Sequence, residues 1–476
     1  MISTRTNEWS FHVGDPITVL ISPGNQGYHL FTHRKRKMSE SNMADTMSRS
    51  HEIFQGQLEY LFPCVGHLYQ EPVVMVKGEG MKVWDADGRE YLDFFSGILS
   101  TSLGHCHPRL VSAMSEQAKK LGHTSTLYVT EPQVEAARRL AEIAPGNLRR
   151  SFFSNSGTEA IETAITLACI HTGRTEVIAL RSAYHGRSTL ATNLTGLSSW
   201  RPLPSSLPNI KHTMAPYPYR CRFKTPCDES CAEEYARDLE EVILSTTNGH
   251  PAAFLAETIQ GAGGFIVPPP GYFQRAAEII RGFGGVLIID EVQAGFGRTG
   301  KWFGIEHWGV VPDIMVMAKG IAGGMPVGAT ITTDEIAASW KGKTISTFGG
   351  NPICMAALAE ALDVMMEENV PARAEARGAQ LRAGLMALAE EHPWIGDVRG
   401  KGLMQAIELV KDRDTKDPDA GRTTAFMEAA KAEGLLLGKA GLRDNVIRFG
   451  PSLLVTEDEM AEALQRVGRA CRKVDA

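Results

Sequence analysis

Between about residues 110 and 340 the chain alternates short apolar runs with helical stretches, and this alternation constrains the fold more than any other feature. The runs are Phe152-Phe153, Val177-Ile178-Ala179-Leu180, Phe254-Leu255-Ala256, Gly285-Val286-Leu287-Ile288-Ile289 and Ile314-Met315-Val316-Met317. Runs of this length without polar alternation read as strands buried on both faces, and the helices between them make the strands parallel. The pattern predicts an α/β fold with a mostly parallel, doubly wound sheet. Two charged residues stand at strand ends. Asp290 closes the fourth run, and Lys319 follows the fifth in Ala318-Lys319-Gly320. Both belong at the carboxyl edge of the sheet, where open α/β sheets place their ligands.

A chain of 476 residues exceeds what one core buries, since cores stop growing near roughly 250–300 residues. The expected division is an extension over 1–46, disordered or a mis-assigned start, and a small α+β domain built from 47–109 and 366–476. A large domain over 110–365 lies between. The extension is rich in Ser, Thr and Asn and carries the basic run Arg34-Lys35-Arg36-Lys37, which reads as a solvated tail. Glu8, Asp15, Glu40 and Asp45 make it a poor mitochondrial presequence. Val73 to Val76 and Met81 to Trp84 read as strands with a turn at Lys77-Gly78-Glu79-Gly80, and Asp85 to Arg89 turns into Tyr91 to Phe94. After Pro352 a helix is expected with Ala356, Ala359, Leu362 and Met365 on its apolar face. Strands return near Gly402 to Glu408 and Val446 to Phe449.

The net charge of −6 argues against nucleic acid as a partner. No apolar run approaches the roughly 18 residues that span a bilayer, so no membrane partner is expected. Eight cysteines without a secretory signal imply a reducing compartment, the cytoplasm or, for a eukaryotic source, the mitochondrial matrix. Cys221, Cys227 and Cys231 are spaced C-x5-C-x3-C, with no C-x2-C pair and no fourth ligand of obvious spacing. That fits zinc poorly, and the reading is a surface insertion with free thiols and no metal.

An acid and a lysine at one sheet edge are what pyridoxal 5'-phosphate requires. The lysine amine bonds to its aldehyde, and the acid holds its ring nitrogen protonated. The alternative for either residue alone is a surface lysine or a capping aspartate. Asn155-Ser156-Gly157-Thr158-Glu159-Ala160 opens a helix with the apolar stripe Ile161, Ala164, Ile165 and Ala168. A helix N-terminus presents free N–H groups and a positive dipole end to a phosphate. Gly157 permits close approach, and Ser156 and Thr158 add hydroxyls; an ordinary serine cap is the other reading. In Ala183-Tyr184-His185-Gly186, Tyr184 is placed to stack on a pyridine ring, with a core tyrosine as the alternative, and His185 is grouped with it as cofactor-binding. Gln293 reaches toward the ring hydroxyl from the loop after Asp290, and Gly295 and Gly297 let that loop turn.

Ile289-Asp290-Glu291-Val292-Gln293-Ala294-Gly295-Phe296-Gly297-Arg298-Thr299-Gly300, Pro312-Asp313-Ile314 to Lys319-Gly320, and Gly323-Gly324-Met325-Pro326 together resemble the signature of class III pyridoxal-phosphate aminotransferases. The likeness runs from about Pro72 to the C-terminus. It is most evident toward the type 2 alanine–glyoxylate aminotransferase branch, through Tyr91 to Ile98, Gly104-His105-Cys106-His107-Pro108, His123 to Thr126, Thr347-Phe348-Gly349-Gly350-Asn351-Pro352 and Gly396 to Leu403. The resemblance implies a fold-type I homodimer with active sites at the subunit interface, where Thr347 crosses to the neighbour's phosphate. It also implies that Arg448, in Ile447-Arg448-Phe449-Gly450-Pro451, grips a substrate carboxylate through its two-pronged guanidinium. Spacing alone favours a surface salt bridge for Arg448, and it is the family motif that points to the clamp.

Three positions depart from related branches. Ala262 stands where the ornithine and 4-aminobutyrate enzymes carry a glutamate that pairs with the arginine. Ile98, at the substrate position, replaces the glutamine of dialkylglycine decarboxylase. Thr258 replaces the proline that commonly follows the strand-end glutamate, here Glu257, which is expected at the cofactor. The activity implied is ping-pong transfer of an amino group from alanine or a small, including ω-, amino acid to glyoxylate or pyruvate. The alternatives are a 4-aminobutyrate, ω-amino acid or amine transaminase, or a lyase or aminomutase on the same cofactor.

Overall fold

The computed structural model describes residues 48–224 and 226–476, with a short antiparallel pairing of Val19–Leu20 and Phe31–Thr32 before them. Apart from that pairing, the extension expected over 1–46 lies outside the described residues. Met1–Leu61 and Phe62–Ala476 are separate compact units. The first contains the helix Arg49–Tyr60, whose N-cap Ser48 accepts from the His51 N–H.

The second unit is built on a seven-stranded sheet. Its strands are β1 (Arg150–Ser154), β2 (Val177–Leu180), β3 (Ile210–Thr213), β4 (Ala253–Glu257), β5 (Val286–Asp290), β6 (Ile314–Met317) and β7 (Gly328–Thr332), in the order β1-β7-β6-β5-β4-β2-β3. All the pairings are parallel except those of β7, which runs antiparallel to both β6 and β1. The fold is therefore α/β with a mostly parallel sheet. Residues of β2, β4, β5, β6 and β7 are buried throughout, because helices cover both faces, as continuous apolar runs require.

Two strands were not apparent from apolar runs. β3, Ile-Lys-His-Thr, is an edge strand with a half-buried polar centre. β7, Gly-Ala-Thr-Ile-Thr, is fully buried but has too few large apolar residues to register as a run.

Two four-stranded sheets complete the unit. Met75–Glu79, Lys82–Asp85 and Glu90–Asp93 form a meander, and Leu435–Leu436 adds parallel to the last of them through Leu435↔Leu92. Ile395–Lys401, Met404–Leu409, Val446–Phe449 and Gly438–Ala440 form the other.

The first hairpin turns at Gly80-Met81 rather than at Lys77 to Gly80. Lys77, Gly78 and Glu79 pair with Trp84, Val83 and Lys82, and Gly80 takes the left-handed φ of 55°. In the helix Pro352–Glu367 the deep face is Met355, Leu358, Leu362 and Met365, while Ala356 and Ala359 are only half-buried. The cysteine segment is not a simple surface insertion. Cys231 is 1% exposed and belongs to the main core, with Cys221 and Cys227 packed against it.

Candidate active site

Strand register sets the site. Glu257 at the end of β4, Asp290 at the end of β5 and Val316 in β6 occupy matching positions on neighbouring strands. Two buried carboxylates therefore stand side by side at the carboxyl edge, with Lys319 just beyond β6. β7 begins at the same edge, since Gly328 pairs with Ser154 at the end of β1. Around these ends lies a cavity of about 410 Å³. Ile98, Ser156, Gly157, Thr158, Tyr184, His185, Glu257, Asp290, Gln293, Lys319 and Arg448 all line it.

The two carboxylates do different work. One oxygen of Asp290 accepts the Val292 N–H at 3.0 Å, and the other meets His185 Nδ1 at 2.8 Å. Because a carboxylate only accepts, His185 carries its proton on Nδ1, and its buried Nε2 has no partner. Glu257 ties loops together: Oε1 accepts the Tyr184 N–H at 3.0 Å and Oε2 the Gly261 N–H at 2.7 Å. Burial and the neighbouring Asp290 push its pKa up to about 7. Lys319 is buried among these groups. Burial pulls its pKa down, opposed by attraction to Asp290 and Glu257, and Arg448 adds to the lowering. Lys319 also sits at a φ of 49°, a left-handed conformation that side chains rarely adopt. Such strain collects at functional sites.

Glu257 yields a test. A glutamine there leaves an NH₂ group facing one of two N–H donors, so Glu257→Gln should lower the stability of the apo-protein by about 1–3 kcal/mol. The native site also keeps a proton that the unfolded chain loses between a pKa of 4.5 and one of about 7. The contribution of Glu257 to stability is thus full below pH 4.5 and is lost as pH rises toward 7. Denaturant titrations across that window should show a shallower slope in Glu257→Gln than in the parent, the remainder coming from buried Glu291, whose pKa burial pushes up to about 8; equal slopes would remove Glu257 as a source.

The helix Gly157–Thr172 starts at the cavity with Ser156 as its N-cap, accepting the Glu159 N–H. Ser156 thus takes the cap role while its first turn also lines the cavity. Gly186 has a φ of 133°, and a Cβ there would lie 2.3 Å from Thr158 Oγ1, so only glycine lets the tyrosine loop approach this helix end. Tyr184 is half-buried and meets Trp200 edge-on at 5.5 Å. Arg448, on Val446–Phe449, is 7% exposed and donates to the carbonyl oxygens of Gly261 and Lys439. Its Nε is buried without a partner, and burial lowers its pKa to about 10. A surface salt bridge is therefore not its role.

Thr347 is placed elsewhere. It is exposed and does not line the cavity of its own chain. Ile98 is 47% exposed at the mouth, in a turn where Ser96, Gly97, Ile98 and Leu99 all have positive φ. Asp93 holds this turn by accepting the Phe95 and Ser96 N–H groups.

Some lining residues had no role assigned from the sequence. Trp200 ends the short 3₁₀ turn Ser198–Trp200, and Val292, Met325 and Val327 are apolar residues within loops. Two fully buried groups fix the loop after Asp290. Glu291 accepts the Gly304 and Ile305 N–H groups, and Arg298 donates to the Leu403 and Pro451 carbonyls. A charged residue amid apolar and glycine neighbours was the available clue to both.

The residues fit pyridoxal 5'-phosphate. A helix N-terminus with adjoining hydroxyls suits the phosphate, Asp290 the ring nitrogen, and Lys319 the aldehyde. The unpartnered Oε1 of Gln293 leaves an acceptor free for the ring hydroxyl.

Residues 66–471 match the family described as aminotransferase class III. The chain is 40% identical over 408 residues to alanine–glyoxylate aminotransferase 2 homolog 2, mitochondrial, of Arabidopsis thaliana, covering 86% of this chain and 84% of that one. It is similar to a solved (S)-enantioselective ω-transaminase from Thermomicrobium roseum, with a TM-score of 0.82, 34% identity and coverage of 89% and 98%. It is also similar to the PLP-bound structure of an amine transaminase from an uncultivated Pseudomonas species, with a TM-score of 0.82, 31% identity and coverage of 87% and 98%.

Proposed function

This chain belongs to the class III aminotransferases, a pyridoxal 5'-phosphate family, and we propose that it moves the amino group of alanine or a small, including ω-, amino acid to glyoxylate or pyruvate. The observation that carries this reading is Arg448, a buried guanidinium in the cavity wall whose hydrogen-bond partners are backbone carbonyls. Ala262 lines the same cavity and offers no carboxylate to occupy the arginine. A substrate carboxylate is the ligand that completes it.

The cofactor supplies an aldehyde that joins to amines and a ring that draws electrons from the substrate α-carbon. The protein's residues do the rest. Lys319 would hold the cofactor at its aldehyde, and its amine is placed to carry a proton to and from the substrate α-carbon. Asp290, aligned by His185 and the Val292 N–H, would hold the ring nitrogen protonated. Ser156, Gly157 and Thr158 would hold the phosphate, Tyr184 the ring face and Gln293 the ring hydroxyl. Glu257 positions the tyrosine loop.

The test is a donor and acceptor panel with Arg448→Ala. Losing one partner of a buried charge-assisted pair costs about 2–5 kcal/mol. Therefore kcat/KM for alanine and glyoxylate should fall on the order of 10²–10³, while primary amines without a carboxylate lose far less. Unchanged alanine kinetics, or amines preferred from the outset, would move the reading to an amine transaminase.

The proposed assembly is a homodimer in which Thr347 serves the partner's phosphate. Leu127, Tyr128 and Val129 are 68%, 68% and 90% exposed, and Ile345 and Phe348 are 58% and 59% exposed. The two segments are tied by the Thr126 N–H to the Ser346 carbonyl and by stacking of His123 on Phe348 at 4.7 Å. Contiguous exposed apolar groups of this kind mark an interface. Val129→Asp should shift the species seen by light scattering toward monomer and release cofactor; an unaltered dimer would place the interface elsewhere. Within the chain, the division expected is a small domain from 47–109 and 366–476 around a large one over 110–365. No helix among the described residues is long and apolar enough to cross a membrane. The proposed compartment is the cytoplasm or, for a eukaryotic source, the mitochondrial matrix, a reading supported by the mitochondrial relative in Arabidopsis thaliana.

A further inference from the structure

Away from the cofactor cavity, the fold gathers three sulfur atoms that the sequence holds apart. The Sγ atoms of Cys221, Cys227 and Cys231 all lie within 4.8 Å of one another, and those of Cys221 and Cys231 are 3.5 Å apart. We propose that these three residues form a binding site for a thiophilic divalent cation, zinc in the first place, held by three thiolates with the fourth position open to solvent.

The geometry suits such an ion. Zinc–sulfur bonds of about 2.3 Å in a tetrahedron place the sulfurs about 3.8 Å apart, inside the range this triangle spans. Three local devices build it. Cys221 ends the 3₁₀ turn Pro218–Arg220, which folds the chain back on itself. Cys227 precedes Asp228, the N-cap of the helix Glu229–Thr246, and Cys231 lies in the first turn of that helix. The cap therefore brings Cys227 beside Cys231, where free N–H groups and the helix dipole favour negative charge.

The spacing C-x5-C-x3-C argued against zinc because it lacks a paired motif. A 3₁₀ turn and a helix start supply the convergence that a C-x2-C knuckle supplies elsewhere. A redox pair explains the arrangement less well, since a disulfide between Cys221 and Cys231 leaves Cys227 as a third sulfur with no part to play. An ion uses all three.

The site lies outside the transamination machinery but is coupled to the fold near it. Arg220, next to Cys221, meets Glu408 at 2.6 Å; Glu408 meets Arg399 at 2.8 Å, and Arg399 donates to the Gly264 carbonyl at 2.9 Å. The ion would thus pin a loop to the small sheet that carries Arg448.

The test uses reduced, metal-depleted holoenzyme titrated anaerobically with Co²⁺. The expected result is a sulfur-to-cobalt charge-transfer band that saturates at one ion per chain, with proton release, and that Zn²⁺ abolishes. Cys221→Ser and Cys227→Ser, both at partly exposed positions, should each weaken binding by at least about tenfold while cofactor absorbance and turnover stay at parent values, which controls for folding. Absence of the band in the reduced parent, a band of equal affinity in both variants, or a Cys221–Cys231 disulfide in freshly isolated metal-free protein would overturn the site.

Discussion

Lys319→Ala is expected to retain cofactor through the phosphate and ring contacts and to lose turnover by at least about 10⁴-fold, since it removes both the covalent anchor and the proton carrier. The size of the loss follows from placement. Lys319 lies between β6 and the cavity, buried with Asp290 and Glu257, and burial holds its pKa below the usual lysine value. An amine so placed is deprotonated more readily than a surface lysine, which suits both bond formation and proton transfer. Three measurements distinguish its roles. Borohydride reduction of the parent followed by peptide mapping should put the adduct on Lys319. The absorbance of Lys319→Ala should show bound but unanchored cofactor. Added small primary amines should restore part of the rate. An adduct on another lysine, with Lys319→Ala fully active, would sink the assignment of the whole site.

How much of this could be read from the sequence depended on how each residue is held. Asp290, Glu257 and Lys319 end or follow strands buried on both faces, so their apolar neighbours announce them and the parallel topology brings them to one edge. The helix starting at Gly157 was legible because its stripe is regular. Trp200 and Val292 were not, because loop conformation is set by tertiary contacts that leave no period. His185 could be grouped with the cofactor residues, but its hydrogen bond to Asp290 spans β2 and β5, with β4 between them, and no spacing encodes that. The cysteines were visible as a local group, but the turn and cap that bring their sulfurs together appear only in three dimensions. Arg448 lay between these cases: its strand was visible, while its burial and carbonyl partners were not.

That hydrogen bond makes Asp290→Asn more than a charge deletion. In the parent, one Asp290 oxygen is committed to the Val292 N–H and the other faces His185 Nδ1. Asparagine can keep the first contact through its carbonyl, but its NH₂ then points at a ring nitrogen that carries a proton. His185 must move that proton to Nε2, which is buried without a partner, or turn away. Either way the ring nitrogen of the cofactor would lose the anion proposed to keep it protonated, and an electron sink that depends on that proton would weaken. The expected loss in kcat is on the order of 10³, about 4 kcal/mol of transition-state stabilisation, with the cofactor still bound through its phosphate. The pH profile separates this cause from simple disorder. With the carboxylate gone, the ring nitrogen must take its proton from solvent, so residual activity should rise toward acid pH, where the parent shows no such gain. A variant with a flat or alkaline-shifted profile would be one whose loss comes from misplaced cofactor. Near-parental turnover would mean that some other acid, and not Asp290, holds the ring.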